Sequence, residues 1–248
     1  MADVLDKKKI RKVFRDVQKH LAIAQLIRRF STNKEDIRKI ALKNVDLSRC
    51  HNVLELGCAF GAFTEALKDK LHPESNITGI DIIPEYKPFF LEACRRAGYS
   101  GLFFSSGIEK IRKFHTGSFD LVICSYALYF FPDIIPEIAR ILKKEGIFIT
   151  ITHSHADMQE MVGLVKKILH QNNALEEQKT LPIEIIFEQF SAENGEEMLR
   201  PFFNRIESID FKNSLVFQPH EIDSFLDYFQ FKKSFFLMGT DLHNKTII

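Results

Sequence analysis

Short apolar segments alternate with helix-like segments from residue 52 to residue 154. The strand-length segments are NVLELG, NITGID, SGLFFSS, FDLVICS and GIFITITHS. Between them lie FTEALKDKL, PFFLEACRRAG and IIPEIARILKKEG, which have helical spacing, and a glycine at the end of the last two indicates a helix stop. Alternating strands and helices predict an α/β fold with a mostly parallel sheet, right-handed crossovers and helices on both faces.

The segments on either side of this core have their own patterns. Residues 7–30 carry apolar residues three and four apart and predict one amphipathic helix, and a second helix is predicted over 34–44. Residues 156–200 predict a helical insertion. RIESIDFKNSLVF (205–217) alternates as an antiparallel edge strand would, and EIDSFLDYF (221–229) predicts a short helix.

Composition excludes several classes of protein. The chain has 248 residues, 45% hydrophobic and 27% charged, with a formal net charge of +1, as in an ordinary globular protein without a general preference for polyanions. No apolar run reaches the roughly 18 residues of a membrane span, and MADVLDKKKI lacks the apolar region of a secretory signal. The four cysteines form no C-x-x-C pair, so we expect reduced thiols and a cytoplasmic location.

The loop after the first predicted strand indicates the ligand. Gly57, Ala59 and Gly61 let a ligand approach the backbone, but their spacing matches neither a dinucleotide fingerprint nor a P-loop. Glu55 at the end of this strand disfavours a pyrophosphate and suits a cationic group. Asp81 lies 20 residues after Gly61, where an acid accepts hydrogen bonds from ribose hydroxyls. A ribose without phosphates beside a cationic amine indicates S-adenosylmethionine, although Asp81 alone is equally consistent with a helix-capping acid.

Four motifs in order resemble class I S-adenosylmethionine-dependent methyltransferases. They are VLELGCAFG, ITGIDI, FDLVICSYALYFFPD and ARILKKEGIFITITHS. RRFSTN, LYFFPD and FSAENGEEMLRPFFNRIESIDFKNSLVF are further similar to the small-molecule methyltransferases of this class, the type 11/25-like group. The resemblance implies a Rossmann-like, doubly wound, seven-stranded sheet, which in this chain is either shortened before its last strand or completed by FKKSFFLMG. It also implies lid helices at 1–44, a cofactor-binding core at 45–155, a helical cap insertion at 156–205 and a C-terminal part of the core at 206–248.

The same resemblance assigns roles to individual residues. Glu55 would lie near the amino group of the cofactor, Asp81 would hold the ribose, and Ile82 would pack against the adenine. The other expected cofactor contacts are, for the methionine portion and the methyl group, Gly57, Cys58, Ala59, Gly61, Cys124, Ser125 and Tyr126; for the adenine edge, Gly107 and Ile108; and for a closing lid, Phe30 and Asn33.

Three positions depart from the pattern of the family. Ala59 replaces the usual middle glycine, and its methyl group is tolerable if the backbone angles stay negative. Gly107 replaces an aspartate that contacts the adenine amine, so adenine recognition would rest on backbone groups. Tyr126 and Phe130 stand where similar sequences carry histidines, and an inherited general base is therefore not expected at either position.

Methyl transfer needs few catalytic side chains, because the sulfonium already activates the methyl carbon. His153 and His155, just past the fifth strand, are candidate bases, but loop histidines that only bond the backbone fit the pattern as well. Tyr126 and Tyr129 would orient the acceptor or simply pack. HSHAD (153–157) begins a two-metal hydrolase signature, but Met158 replaces its next histidine, so no metal site is expected.

We therefore expect a methyltransferase that converts S-adenosylmethionine to S-adenosylhomocysteine and methylates a small molecule, as a monomer or homodimer. Two alternatives remain: an RNA methyltransferase, and a non-catalytic regulatory protein that binds the cofactor. The basic face of residues 7–29 keeps the RNA alternative open, yet a solvated face is favoured over a membrane or nucleic-acid surface. SYALY at the end of the fourth strand also lacks the turn with which base-methylating enzymes stack a flipped base.

Overall fold

The computed structural model describes residues 7–172, 174 and 180–237. The β-strands are β1 (Asn52–Leu56), β2 (Asn76–Asp81), β3 (Ser100–Ser105), β4 (Phe119–Ser125) and β5 (Leu142–Ile151). The α-helices are α1 (Lys7–Phe14), α2 (Val17–Phe30), α3 (Ile37–Ala41), α4 (Ala62–Ala66), α5 (Lys87–Ala97), α6 (Ile135–Ile141), α7 (Gln159–Gln171), α8 (Pro182–Gln189), α9 (Gly195–Leu199) and α10 (Ile222–Leu237). Short 3₁₀ helices cover Pro84–Tyr86, Ile108–Lys113, Leu128–Phe130, Pro132–Ile134 and Pro219–Glu221.

The described residues divide into two compact units. Unit 1 consists of the described residues up to Asn33, within His153–Asn194 and from Asn213 onward. Unit 2 takes Lys34–Thr152 and Gly195–Lys212. The segment predicted as a lid, 1–44, contributes to both units, and most of the described residues after 206 group with unit 1. The lid and cap roles stay predictions.

Unit 2 contains a five-stranded parallel sheet in the order β3-β2-β1-β4-β5. The predicted α/β fold with a doubly wound parallel sheet is confirmed, but its seven-strand count is not. Of the predicted last strand FKKSFFLMG, residues 231–237 belong to α10, and the final two lie outside the described residues. The aromatic residues of this helix follow helical spacing, and three of them are buried: Phe231, Phe235 and Phe236.

The predicted edge strand at 205–217 is wrong. This segment is extended but makes only one isolated antiparallel bridge, between Leu215 and Ser31. Apolar and polar residues alternate in its sequence, but the apolar ones are not all buried, since Ile209 is 55% exposed. Alternation specifies a strand only where a neighbouring strand completes the ladder, and around Leu215 the partner is the end of α2.

Several predicted helices are divided or shortened. The single helix predicted over 7–30 is two helices, because Asp16 leaves the helical conformation and its carboxylate accepts a hydrogen bond from the amide of Lys19, starting α2. The helix predicted over 34–44 covers only α3, and FTEALKDKL is helical only through Ala66. Gly98 ends α5 in the left-handed conformation, as predicted.

Gly146 does not stop a helix, contrary to the sequence prediction. Helix α6 ends at Ile141, and the next residue, Leu142, is extended and already pairs with Phe119 of β4. The pairing then shifts register before Leu121 meets Ile147, so Gly146 lies inside an irregular strand.

The centre of the sheet is apolar except for Glu55 of β1. Val53, Leu54 and Leu56 of β1 are fully buried, as are Leu121 to Cys124 of β4. These continuous apolar strands are typical of a parallel sheet that is covered on both faces. No helix in the described part of the chain has the length and apolar character needed to cross a membrane.

Candidate functional site

The loops that follow the parallel strands meet at one edge of the unit 2 sheet. β1 lies at the centre, paired with β2 on one side and β4 on the other. The chain leaves β1 and β4 in different directions across the sheet order, which creates the switch point where such sheets bind ligands. The residues predicted to contact the cofactor from the core stand at this edge: Gly57, Cys58, Ala59, Gly61, Asp81, Ile82, Gly107, Ile108, Cys124, Ser125 and Tyr126.

The loop after β1 is a tight bend in which every second residue is left-handed. Gly57, Ala59 and Gly61 have φ of 66°, 42° and 81°. A Cβ at Gly57 would come within 2.8 Å of the Cβ of Ala127, and one at Gly61 within 2.6 Å of that of Ala93, so both glycines are required. The condition under which alanine would be tolerated here, negative backbone angles, is not met, because Ala59 has a positive φ.

Asp81 joins this bend to the end of β2. Its Oδ2 accepts a hydrogen bond from the amide of Ala59 at 3.0 Å, and its Oδ1 accepts one from the amide of Ile83 at 2.9 Å. Burial raises the pKa of Asp81 to about 6, although the amides of Ile83, Ala59 and Ile82 oppose that rise. A carboxylate offers about four lone-pair positions, so Asp81 keeps acceptor capacity for two hydroxyl groups.

Glu55 lies beneath the bend. It is 3% exposed, and its Oε2 accepts a hydrogen bond from the hydroxyl of Thr64 in α4 at 2.5 Å. Burial raises the pKa of Glu55 to about 7, against the opposing effects of the Thr64 hydroxyl and of the positive charge of Arg38. Glu55 is therefore held by Thr64 of α4, and its carboxyl group becomes charged as the pH rises through about 7.

Glu109 adds a carboxylate that the sequence reasoning missed. It stands beside Gly107, and a Cβ at Gly107 would collide with its carboxyl group. Gly107 begins the 3₁₀ helix at Ile108, and its neighbour Ser106 donates its amide to the carbonyl of Asp81 at 3.0 Å. The sequence did contain a signal for this role: Gly107 stands where the family pattern has an aspartate, and the acid Glu109 follows two residues later.

The loop after β4 is also strained. Tyr126 has φ of 52°, and its amide donates to the carbonyl of Ile151 at 2.8 Å. The hydroxyl of Tyr129 donates to the carbonyl of Tyr126 at 2.5 Å and holds this conformation. The side chain of Tyr126 is 39% exposed, whereas Cys124 is fully buried, and burial raises the pKa of its thiol far above the ordinary value. Tyr126 is thus held by its backbone with its ring accessible.

The remaining candidates belong to unit 1. His153 Nδ1 lies 2.8 Å from Oδ2 of Asp157, and its ring packs 5.0 Å from that of Phe187. Burial favours a raised pKa for Asp157, but the hydrogen bond and charge of His153, together with Lys232, hold that pKa below its usual value. This pair fixes the orientation of the His153 ring.

His155 has a different environment from His153. Its Nε2 lies 2.8 Å from the hydroxyl oxygen of Ser191, and its amide donates to Glu193 at 2.9 Å. In the described residues, no three His, Cys, Asp or Glu side chains gather as a metal site would require.

The two predicted lid residues also lie in unit 1. Phe30 packs on Phe217 with ring centroids 4.4 Å apart, and the amide of Asn33 donates to Oδ1 of Asn213 at 3.0 Å. Their predicted contact with a cofactor stays a prediction.

Similarity to known proteins agrees with this geometry. Residues 54–150 match the family described as Methyltransferase domain. The chain is 28% identical over 117 residues to the uncharacterized methyltransferase YcgJ of Bacillus subtilis, covering 46% of this chain and 45% of that protein. It is 28% identical over 107 residues to the demethylmenaquinone methyltransferase of Lactococcus lactis, covering 42% of each. The chain thus spans less than half the length of these two relatives.

The fold has a counterpart among solved structures. A SAM dependent methyltransferase from Aquifex aeolicus superposes with a TM-score of 0.50 at 15% identity, covering 78% of this chain and 90% of that one. At this identity the likeness establishes the fold alone, and it places the parallel sheet in the Rossmann-like group.

Proposed function

We propose that this chain, whose residues 54–150 match the family described as Methyltransferase domain, transfers a methyl group from S-adenosylmethionine to a small-molecule acceptor. The observation that carries the proposal is the bend after β1, tied by the Ala59 amide to the buried carboxyl group of Asp81. A ligand can approach the backbone of this bend closely, and Asp81 beside it has unused acceptor positions. The bend itself, GCAFG, carries no basic side chain that could bind a phosphate.

The residues of the bend fit S-adenosylmethionine. Gly57 and Gly61 leave space that a Cβ would fill, so the methionine portion would run along the backbone. Asp81 would accept hydrogen bonds from the two ribose hydroxyls. The negative charge of Asp81, joined by that of Glu55 as the pH rises through about 7, favours a ligand with an ammonium group and a sulfonium, since both acids are largely shielded from water.

The adenine would lie between the ends of β2 and β3. Ile82 would supply an apolar contact, and the backbone at Gly107 and Ile108 would face the edge of the base. The carboxyl group of Glu109 lies beside Gly107 and would accept a hydrogen bond from the exocyclic amine. In this arrangement Glu109 takes over the role that an aspartate at position 107 would have.

When bound, the cofactor supplies a methyl group already activated by its positive sulfur. The protein then has to align the acceptor with that methyl group, and proximity alone contributes roughly 7–11 kcal/mol in well-oriented reactions. Cys124, Ser125 and Tyr126 would border the methyl group, with the exposed ring of Tyr126 directing the acceptor. His153, oriented by Asp157, would remove a proton from an acceptor that must lose one.

The size of the acceptor is inferred from two observations. The sequence after β4 is SYALY, without the turn used to stack an extruded base. One relative is named for demethylmenaquinone, which supports a small organic acceptor for a related domain.

Isothermal titration with S-adenosylhomocysteine tests the cofactor half of the proposal, with the Asp81→Ala variant as the comparison. We expect one binding site in the folded protein and a strongly reduced affinity in the variant. A folded protein that binds no S-adenosylhomocysteine contradicts the proposal. Binding without S-adenosylhomocysteine production from S-adenosylmethionine, across a panel of phenol, amine, carboxylate and thiol acceptors, favours the regulatory alternative.

A further inference from the structure

Basic residues are concentrated in the first two helices. With His counted as neutral, residues 7–29 hold nine Lys or Arg and one Asp, in a chain with 34 Lys or Arg and 33 Asp or Glu. The rest of the chain therefore carries 25 basic and 32 acidic residues. A basic segment in an otherwise acidic chain is typical of a region that binds a polyanion.

Four of these residues form what we call the α1–α2 basic face: Arg11, Lys12, Arg15 and Lys19. All four are exposed, and none takes part in the ion pairs found within the described ranges. Many other basic side chains pair with an acid, namely Arg38, Arg95, Arg96, Arg140, Lys143, Lys166, Arg200 and Arg205. In the described residues, the only acid within this segment is Asp16, so the α1–α2 basic face keeps a net positive charge.

Helix stability accounts for only part of this charge. Arg11 and Lys12 lie in the last turn of α1, where a positive charge is favourable to the helix dipole. Lys19 lies in the first turn of α2, where a positive charge is unfavourable, and the acid at that helix end, Asp16, bonds the amide of Lys19. Arg11 and Arg15 are four residues apart, and the amide of Arg15 donates to the carbonyl of Arg11 at 3.0 Å, so their like charges repel across one turn.

The apolar side of these helices is already used within unit 1. The ring of Phe14 packs 5.6 Å from that of Phe231 and 6.1 Å from that of Phe235. Val17 and Ile23 are buried. A helix that lies in a membrane surface inserts its apolar side into the lipid, and here that side is occupied by protein. A partner would therefore meet only the charges.

We infer that the α1–α2 basic face binds the phosphate backbone of a single-stranded nucleic acid. Arg11 and Arg15 are one helical turn apart at the end of α1, about 5–6 Å, and Lys19 follows beyond the break at Asp16, so a flexible strand can meet these charges one phosphate after another. Arginine presents a planar fork of donors that matches phosphate oxygens, and two of the four residues are arginines. This binding goes beyond the proposed methyl transfer and does not depend on it.

Fluorescence anisotropy with a labelled single-stranded RNA, titrated at several salt concentrations, tests the inference. The variant is the quadruple substitution Arg11→Gln, Lys12→Gln, Arg15→Gln and Lys19→Gln. Each phosphate contact to a single strand contributes about 0.7 to the salt slope, so we expect the slope to fall by about 3 and the affinity at low salt to fall at least about 100-fold.

The matched control removes four exposed lysines of unit 2: Lys43→Gln, Lys68→Gln, Lys113→Gln and Lys144→Gln. It changes the net charge equally, and we expect it to retain most of the affinity and the slope. Circular dichroism and the melting temperature confirm that both variants fold, and S-adenosylhomocysteine titration reports the cofactor site separately.

Three outcomes overturn the inference. One is no binding of RNA by the unmodified chain, and another is equal losses in the two quadruple variants. The third is a preference for polyglutamate, or for vesicles of phosphatidylserine and phosphatidylcholine, over RNA in the unmodified chain. That result would assign the α1–α2 basic face to an acidic protein or to a lipid surface.

Discussion

The amide of Ala59 donates a hydrogen bond to Oδ2 of Asp81 at 3.0 Å, across 22 positions of the sequence. One carboxyl group thereby fixes the bend after β1 and the end of β2. Because the same group is proposed to hold the ribose, the shape of the loop and the affinity for the cofactor are coupled. A substitution at Asp81 should disturb both.

Asp81→Ala should weaken S-adenosylhomocysteine binding by about 100-fold or more, since the two ribose hydrogen bonds to this charged group each contribute about 1.5–3 kcal/mol. Asp81→Asn should give an intermediate loss. Its amide has a single carbonyl oxygen to share between the amide of Ala59 and a ribose hydroxyl, and its other end donates rather than accepts. Isothermal titration of the three proteins, each with a measured melting temperature, provides the comparison. Equal affinities in all three would remove Asp81 from the cofactor site.

Ala59→Gly should leave the protein as stable as before or stabilise it by up to about 1 kcal/mol. Alanine at positive φ costs about 1–2 kcal/mol, and glycine adopts that conformation freely at an entropic cost of about 0.5–1 kcal/mol. Ala139→Gly is the control, because Ala139 lies inside α6 and the change should destabilise by about 0.5–1 kcal/mol. Urea unfolding of both variants measures the difference. If Ala59→Gly destabilised the protein as much as Ala139→Gly, the claim that Ala59 is strained in the wild-type bend would be wrong.

The sequence predicted those parts of the fold that depend on local patterns. Buried strands such as β1 and β4 read as continuous apolar runs, and Gly98 marks a helix end by its left-handed conformation. The parallel sheet and the shared edge at its strand ends followed from the alternation of strands and helices, whereas the strand order came from the structure. The positions of Gly57 and Asp81 at that edge could therefore be predicted before any coordinates.

The predictions that failed depended on contacts distant in sequence. The local sequence of 205–217 has the pattern of a strand. No neighbouring strand pairs with it in the structure, and the sequence pattern alone does not reveal that. Gly146 resembled a helix stop, yet the pairing of Leu142 with Phe119 had already ended the helix. Burial of Glu55 under the bend likewise depends on Thr64, nine residues away in another element.

His153→Gln should lower methyl transfer by about 10²- to 10⁴-fold on an acceptor that must lose a proton, as expected for loss of a general base. Affinity for S-adenosylhomocysteine should not change. His155→Gln is the control, since His155 contacts Ser191 and Glu193 instead of Asp157. Measuring S-adenosylhomocysteine release for both variants separates the two histidines. Equal rates for His153→Gln and the unmodified chain would leave His153 as a structural partner of Asp157.

Glu55 should make the protein less stable as the pH rises from about 4.5 to 7. Burial raises its pKa from 4.5 to about 7, so between these values the folded state binds a proton that the unfolded state has lost. Stability is then greatest below the unfolded pKa and falls as the pH passes through the folded one, by a total on the order of 3 kcal/mol. Asp81, with its pKa raised to about 6, adds a smaller fall of the same sign over a lower range.

The variant Glu55→Gln separates the contribution of Glu55 to the pH dependence of stability from that of Asp81. The amide keeps an acceptor for the Thr64 hydroxyl but carries no titrating proton, so the variant should lose most of the decline between pH 4.5 and 7 and retain the part due to Asp81. Urea unfolding at half-unit pH intervals gives the free energy of unfolding for both proteins. Thr64→Val should have the opposite effect and steepen the decline, because Glu55 loses the hydroxyl that favours its charged form. An unchanged slope in Glu55→Gln would mean that Glu55 reaches water in the folded protein.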